Sequence, residues 1–539
     1  VGTLIMNIQV QDLNHLGIIA GIIDEMGLVG EIDRQVGKHP QQIVSTGEAV
    51  KAMILNGLGF VSAPLYLFGQ FFEGKATEHL LGGEIRAEHL NDDRLGRGLD
   101  DLWAVGLTEL FSSVAMQAYR QFSVSAKSVH LDSSSFMVYG KYETEEAEDG
   151  TEAIAITYGY SKDHRPDLKQ FLVDLICTGD GDVPLFLRVG DGNESDKAVF
   201  AQLMQQFRQQ WDFEGIYVAD SALYSEDNLQ ELGALRWITR VPLTLKAAQA
   251  LVDSIDSSAF QPSQLSGYRI AECCSNYAGV QQRWLVIESD KRRDSDLKQL
   301  DKRLDKQCQQ AQQQLRHLMT QEFHCPQDAQ QTAAQLVQNW PYHCLDQLEL
   351  IALNHYGSTG RPRKHQSPQS ISYRLKAVVL NDPAALALAQ RRCGRFILAT
   401  NVLAPEALSH DDALQEYKGQ QSPERGFRFL KDPLFFTSSV FLKTPQRVAA
   451  LALVMGLCLL VYTLGQRLLR QSLIQSQATI PNQLGKPTSS PTLRWVFQSF
   501  QAIHLVWVNG IKQISNLTET RLKILRFMGA ACQKYYLLC

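Results

Sequence analysis

The sequence predicts an α/β fold, a mixed sheet flanked by helices, interrupted by an insertion and set between an all-α region and a basic helical tail. Three observations carry this. Residues 7 to 125 repeat apolar side chains at the helical period. Residues 128 to 242 break into short β-rich runs that give way to alternating helix and strand. Charge is spread so unevenly that the last quarter of the chain stands apart from the rest.

Composition bounds the class. At 539 residues the chain has room for two to four domains, taking roughly 150 residues for each. With 45% hydrophobic and 20% charged residues it is an ordinary globular composition, which excludes a largely disordered chain. The 10 cysteines show no CxxC spacing, and the adjacent Cys273 and Cys274 are too close for an unstrained bridge. They read as reduced cytoplasmic thiols without a structural zinc site. Val1 suggests a non-Met start codon or a trimmed chain, with Met6 as the other candidate start, and the residues after it lack the pattern of a secretory signal. VAALALVMGLCLLVYTL, from Val448 to Leu464, is short for a membrane span of about 20 residues. Thr444 and Pro445 before it, and Arg447, Arg467 and Arg470 around it, favour a helix buried in a protein core.

The net charge of −5 conceals a gradient. Residues 1 to 100 carry 7 Lys/Arg against 13 Asp/Glu, whereas 421 to 539 carry 14 against 3. Further basic clusters lie at Lys291 to Arg293 and in GRPRKH (360 to 365). These runs are either solvated faces or surfaces that track a polyanion such as DNA.

Along the chain, HLGIIAGIIDEMGLVGEI, GEAVKAMILNGLGF and LWAVGLTELFSSVAMQAYRQF read as helices, a domain (1–125) suited to DNA reading or to assembly. SVHLDSSSFMVYG (128 to 140), AIAITYGYS (153 to 161), LKQFLVDLIC (168 to 177) and VPLFLRVG (183 to 190) read as strands. A helix over 196 to 211, the strand IYVA before Asp220, a second helix from about Ser225 and the strand RWITRVP complete the first part of the core, 126–242. Residues 243–395 change texture, with a charged and Gln-rich helix over 290 to 320, and read as an insertion. RFILATN resumes the core over 396–475, and a polar linker from about 476 to 491 leads into the basic tail, 476–539. In the stretch from 409 to 432, Pro423 predicts a kink or a restart of the helix with Ser422 as N-cap.

Asp132 closes the first expected strand and Asp220 the fourth. On neighbouring strands the two would meet at one end of the sheet, where α/β folds place their sites. Two such carboxylates repel unless a cation neutralises them, and hard oxygen ligands select Mg²⁺ or Mn²⁺. Two ions about 3.5 to 4 Å apart suit phosphodiester chemistry. Each Asp taken singly is equally well read as a turn or helix cap. Tyr417, Gln420, Glu424 and Lys431 fall within about 60° of arc on an unbroken helix, Tyr and Lys suited to phosphates and Glu to a metal. Glu416 is the rival third carboxylate. Among lesser candidates, His130 shares the face of Asp132, Arg240 ends a strand beside either a phosphate or an ion-pair partner, and Lys162, His164, Arg165 and Lys169 sit in a basic turn suited to DNA. Asn193 and Asp196 read as the turn and N-cap of the following helix.

HLDSSSF, YGYSKDHRPDLKQ, ADSALYS and ERGFRFLKDP together resemble the DDE transposases of bacterial insertion sequences. The chain is similar to the IS-four group, whose signature runs Tyr, two residues, Arg, three residues, Glu, six residues, Lys, and within it to the IS-sixteen-thirty-four branch. The resemblance implies an RNase H-like catalytic core whose triad, Asp132, Asp220 and Glu424, holds a two-metal Mg²⁺ site, with Mn²⁺ as a substitute. It implies that Tyr417 and Lys431 contact the phosphates of the transposon end, and that Gln420 replaces the signature Arg, bringing no charge. DNA contacts are further expected at Arg240, Lys162 and Arg165. The implied partners are transposon-end and target DNA held by a homodimer in a synaptic complex, in the bacterial cytoplasm and at no membrane. An RNase H-like nuclease without strand transfer and a catalytically weakened DNA-binding relative are the alternatives.

Overall fold

The computed structural model of the chain describes residues 8–38, 41–60, 68–140, 142, 153–161, 165–357, 366–433 and 442–538. Strand β1 (Ile8–Asp12) is followed by helices α1 (Leu16–Met26), α2 (Leu28–Val36), α3 (Thr46–Gly57), α4 (Phe68–Phe72), α5 (Thr77–Leu81), α6 (Asp92–Ala104) and α7 (Leu107–Gln121). A meander of β2 (Ser128–Val138), β3 (Lys169–Thr178) and β4 (Pro184–Gly190) comes next. It leads to α8 (Asp196–Trp211), β5 (Ile216–Ala219), α9 (Glu226–Leu232), β6 (Arg236–Val241) and α10 (Lys246–Ser254). Beyond lie β7 (Gln261–Pro262), β8 (Tyr268–Tyr277), β9 (Val280–Ser289), α11 (Asp290–Thr320), α12 (Pro326–Gln338), β10 (His343–His355), β11 (Ser370–Asn381), α13 (Pro383–Arg392) and β12 (Arg395–Thr400). The chain continues through α14 (His410–Lys418), α15 (Gln421–Leu430), α16 (Pro445–Gln475), β13 (Ile480–Pro481), β14 (Pro487–Thr488) and α17 (Leu493–Ser499). It ends with β15 (His504–Val508), β16 (Ile511–Ile514), α18 (Glu519–Phe527) and α19 (Ala530–Leu537).

Among the described residues nine strands make one mixed sheet in the order β4-β3-β2-β5-β6-β12-β9-β8-β7. The β2-β5 and β5-β6 pairs are parallel and the other pairs antiparallel. Helices α14 and α15 cover one face, with α15 on β2 and β3 and α14 on β5 and β6, while α8 packs beside β2 and α9 on the other. The apolar runs of β5, β6 and β12 are buried almost throughout, as strands covered on both faces require.

Four expectations need correcting. First, β7, β8 and β9 belong to the main sheet through β12, so the inserted part that stands off the sheet begins at α11 rather than at residue 243. That part has its own small core, with Ala311, Leu315, Leu318, Ala333 and Trp340 packed on Leu375 and Ala377 of the β10-β11 ribbon. Second, AIAITYGYS is no ladder strand. It meets the sheet at the single bridge from Thr157 to Gln170, and its backbone is held instead by the loop after β4, Ala155 N–H donating to Asp191 Oδ1 at 2.7 Å. Third, residues 8 to 12, expected to be helical, pair with β15 in a three-stranded sheet, β1-β15-β16. Fourth, the supposed linker carries the β13-β14 pair, and the supposed helical tail carries β15 and β16.

The third correction matters most, because it joins the two ends of the chain. Helix α19 lies on α1, where Tyr535 donates to Asp24 Oδ2 at 2.5 Å and Tyr536 donates to the Asn14 carbonyl at 2.7 Å. Helix α16 runs between them and the sheet, touching α3, α6, α7 and β4, and the apolar side chains from Val448 to Leu464 are nearly all buried there. Each leucine so buried contributes about 1.5–3 kcal/mol. One hydrophobic core therefore runs from the N-terminal helices through the sheet to the tail.

Helix α19 leaves no room for a side chain at Gly21 of α1, where a Cβ would stand 2.5 Å from the Cα of Cys532. Backbone cannot yield cheaply, so Gly21→Ala is expected to lower stability by about 1–3 kcal/mol. Urea unfolding of the variant beside the parent chain measures it, and an unchanged midpoint would show that α19 is not seated on α1.

Candidate active site

The site follows from strand register. Leu131 of β2 pairs with Ala219 of β5, and Ala219 pairs with Thr239 of β6. The next residue on each strand is Asp132, Asp220 and Arg240, so the three form a row across neighbouring strands spaced about 4.8 Å apart. They lie on the face covered by α14 and α15, since side chains alternate along a strand and the preceding even positions Val218 and Ile238 pack under α14. Asp132 does not close its strand, as expected from the sequence: β2 runs on to Val138, and what stops at Leu131 is its pairing with β5. Past that point β2 has lost its neighbour on one side, which opens a cleft.

Asp220 both caps and faces this cleft. Its Oδ1 accepts the Ala222 N–H at 2.9 Å as N-cap of the 3₁₀ turn Ser221–Leu223, while its carbonyl accepts the Thr239 hydroxyl at 2.6 Å. The turn reading and the site reading are both realised in one residue. The cleft, about 450 Å³, is lined by Asp132, Ser133, Ser134, Asp196, Asp220, Glu424, Phe427, Arg428 and Lys431. Residues expected together from distant parts of the sequence, Asp132, Asp220, Glu424 and Lys431, thus face one space. Lys431 also lies over the Phe136 ring, 5.3 Å from its centre.

Asp196, read from the sequence as the N-cap of the following helix, is not the cap and was not foreseen as part of the site. Ser195 is the N-cap of α8, and Asp196 occupies the first turn with its side chain in the cleft. An acidic residue at a helix start is so common a dipole partner that nothing local marks it as more. The signal available was its place after the meander, at the same sheet end as Asp220.

The segment from Tyr417 to Lys431 is two helices. Helix α14 ends at Lys418, Gly419 lets the chain lie against His130, where a Cβ would stand 2.7 Å from the ring, and α15 restarts at Gln421. Gln420, not Ser422, holds the N-cap position, without a side-chain cap. Pro423 falls in the first turn, where its missing N–H costs nothing. Ser422 donates instead to Asp182 Oδ1 at 2.7 Å, and Arg425 forks onto the same carboxylate.

The break re-aims Gln420. Its amide is buried and donates to the Leu131 carbonyl at 2.6 Å, one residue before Asp132, so it faces the backbone of β2 rather than the DNA expected there. Beside it His130 is fully buried, bonded through Ser128 toward Glu416. That bond turns Glu416, the rival third carboxylate, away from the cleft lining. Tyr417 is half-buried, its ring centre 6.4 Å from that of Phe396. Burial raises its phenol pKa above the ordinary value despite the counter-pull of Arg240, with Asp220 and Glu424 also in electrostatic reach. Arg165 forks onto Asp167 at the surface, outside the cleft lining. Lys162, His164 and the GRPRKH run lie outside the described residues.

The cleft could hold a hard divalent cation by the chemistry of its donors, four carboxylates with no thiol or imidazole lining it. Among the described residues no three such groups stand close enough to ligate a single ion as they lie.

Beside these features stand the comparisons with known proteins. A family model described as a domain of unknown function, DUF4277, matches residues 8–116. No curated protein matches the chain. Among solved structures, the cryo-EM structure of the piggyBac transposase synaptic complex with hairpin DNA overlaps 90% of this chain and 80% of its own, at 8% identity and a TM-score of 0.38. So loose an overlap does not identify a fold.

His130 gives the site a pH signature. Burial drives its pKa from 6.5 down to about 4, so the folded chain refuses a proton that the unfolded chain takes up. The stability it contributes is present above pH 6.5 and is lost as the pH falls toward 4. Between about pH 7 and about pH 4.5 the parent should lose roughly 2–3 kcal/mol more than His130→Gln. Denaturant unfolding at the two pH values measures this, and parallel losses would contradict a buried neutral imidazole.

Proposed function

We propose that the chain is a metal-dependent transposase that hydrolyses phosphodiester bonds at the ends of a mobile DNA element and joins the freed 3′-hydroxyl to target DNA. The observation that carries the reading is that Asp132, Asp220 and Glu424, from three separate parts of the sequence, line one cleft together with Lys431. Further support comes from the strand order β4-β3-β2-β5-β6, an antiparallel meander continued by parallel strands, which suits an RNase H-like core.

In this reading Asp132, Asp220 and Glu424, with Asp196 beside them, would hold Mg²⁺ or Mn²⁺, which when bound supplies activation of the attacking oxygen and charge relief at the leaving oxygen. The protein's own groups do the rest. Lys431 and Arg428 at the cleft wall attract and orient the phosphates. Tyr417, kept protonated by burial, offers a hydroxyl donor at the edge of the site. Gln420 ties the backbone before Asp132 to the junction of α14 and α15, so the strand that carries one carboxylate and the helix that carries another move as a unit. Strand transfer requires two ends held together, so the working form on DNA is at least a dimer.

The test is cleavage of DNA bearing the inverted repeats that flank the gene, with Mg²⁺ or Mn²⁺. Asp132→Asn, Asp220→Asn and Glu424→Gln should each cut the rate by about a thousandfold or more, the several kcal/mol of transition-state stabilisation that a metal supplies. Asp196→Asn should cost less, about ten- to a hundredfold, and should weaken Tb³⁺ binding followed by luminescence. Undiminished cleavage in the triad variants would sink the proposal, and cut ends that are never joined would reduce it to a nuclease.

A further inference from the structure

A second row of side chains runs behind the first. Ser133 of β2 pairs with Asp174 of β3, and Asp174 pairs with Arg188 of β4, so the three stand side by side on the face opposite Asp132. The Ser133 hydroxyl donates to Asp174 Oδ1, and Arg188 Nη1 donates to Asp174 Oδ2 at 2.9 Å. Asp174 is fully buried. The same guanidinium then forks onto Glu194, with Nη1 donating to Oε2 at 2.8 Å and Nη2 to Oε1 at 2.7 Å. Gly190 makes room for that fork, since a Cβ there would stand 2.8 Å from Glu194 Oε2 and 2.9 Å from Arg188 Nη1.

The row starts beside one carboxylate of the cleft and ends beside another, because Ser133 follows Asp132 and Glu194 shortly precedes Asp196. The loop between β4 and α8 is held from several sides. Asp191 N–H donates to Glu194 Oε1 at 3.2 Å, Gly192 N–H to the Ala155 carbonyl at 2.9 Å, and the Gln170 amide to the Gly192 carbonyl at 2.7 Å. The backbones are pressed together: a Cβ at Gly192 would stand 2.0 Å from the Gln170 carbonyl oxygen, and one at Gly159 2.0 Å from that of Gly192. Helix α8, by contrast, has no side-chain cap at Ser195. What sets its first residue, Asp196, is therefore the loop and not a cap of its own. Buried ion pairs are a poor route to stability, because apolar residues of the same volume do as well or better. A forked guanidinium does fix its carboxylates in angle and distance, which apolar packing does not.

We propose that Asp174, Arg188 and Glu194 are positioning residues for the cleft: from behind the sheet they set where Asp196 stands relative to Asp132, and with it the affinity of the cleft for a hard cation. The inference rests on the cleft being a cation site, as in the function proposed above, and not on the DNA chemistry.

The experiment titrates the full chain with Tb³⁺, read by luminescence, beside thermal unfolding without metal and cleavage of inverted-repeat DNA in Mg²⁺. Glu194→Gln should weaken Tb³⁺ binding by about tenfold. Arg188→Lys, which keeps the buried charge but cannot fork, should do the same. Added to Asp196→Asn, Glu194→Gln should cost less than about twofold more, because its effect passes through Asp196, whereas a charge acting only through space would add its full effect. Unchanged Tb³⁺ affinity in both single variants, or full additivity with Asp196→Asn, would overturn the proposal. So would a large fall in the unfolding midpoint of both, since that would make the row a structural prop. If the parent shows the coupling and cuts no DNA, the positioning stands and the transposase reading falls. If the parent cuts DNA and the Glu194 and Arg188 variants bind Tb³⁺ as it does, the positioning alone falls. A parent that binds no Tb³⁺ would remove the cation site and both readings with it.

Discussion

The pairing of β2 with β5, and of β5 with β6, is the constraint on which the rest of the site depends. Parallel neighbours in register place equivalent residues side by side, so a carboxylate one step past Leu131 and another one step past Ala219 must be neighbours whatever the intervening chain does. A slip of one residue would send Asp220 to the opposite face, toward α8, and leave Asp132 without its partner. Register here is held by burial, because Tyr217, Val218 and Ala219 are enclosed on both faces and cannot exchange places with polar neighbours. The hydrophobic core and the acidic row are therefore one decision. The strand's early stop after Ala219 then opens the cleft, and Asp220 holds that stop by capping the turn that follows.

The two helices over this face solve a second problem, how to bring a third carboxylate over a row fixed by the sheet. An unbroken helix from Tyr417 to Lys431 would have kept those four side chains on one stripe. Breaking it at Gly419 and Gln420 spends two of them on the scaffold instead, since Gln420 turns to the β2 backbone and Tyr417 to Phe396, while Glu424 and Lys431 reach the cleft. A neutral amide suits that buried position better than a guanidinium would, because its donor finds a carbonyl and it brings no charge to desolvate.

Legibility in the sequence followed the range of the forces involved. The buried strands around Asp220 and Asp132 and the core helix from Val448 to Leu464 were readable because each is a dense local pattern of burial. The restart of the helix near Pro423 was readable from the imino acid, but its residue-level placement was not, because the close approach of Gly419 to His130 decides it from outside. The strand β1, the extension of the sheet by β8 and β9, and the approach of Asp196 to the cleft were unreadable for one common reason. Each is defined by a partner hundreds of residues or several elements away, and nothing in five or ten residues encodes the partner.

The same folding together of the ends changes what the charge gradient means. Read along the sequence, an acidic beginning and a basic end suggest a tail free to follow a polyanion. In space the two are one unit, and the basic residues of the last quarter are largely engaged. Arg447 forks onto Asp100, Lys534 pairs with Asp24, Arg467 with Asp180 and Arg494 with Asp432, while Arg521 donates to three backbone carbonyls. Arg467 is buried, and the more exposed pairs of Arg447, Lys534 and Arg494 contribute little to stability, but all of them neutralise the field that a free tail would have projected. If the chain grips nucleic acid at its chemical centre, the charge for doing so has to come from cations left uncommitted near the cleft. Arg428 stands in the cleft wall itself, and Arg240 lies one strand beyond Asp220. An acidic overall charge is then no argument against a polyanionic substrate, because what a cleft attracts is set by the cations beside it and not by the sum over the chain.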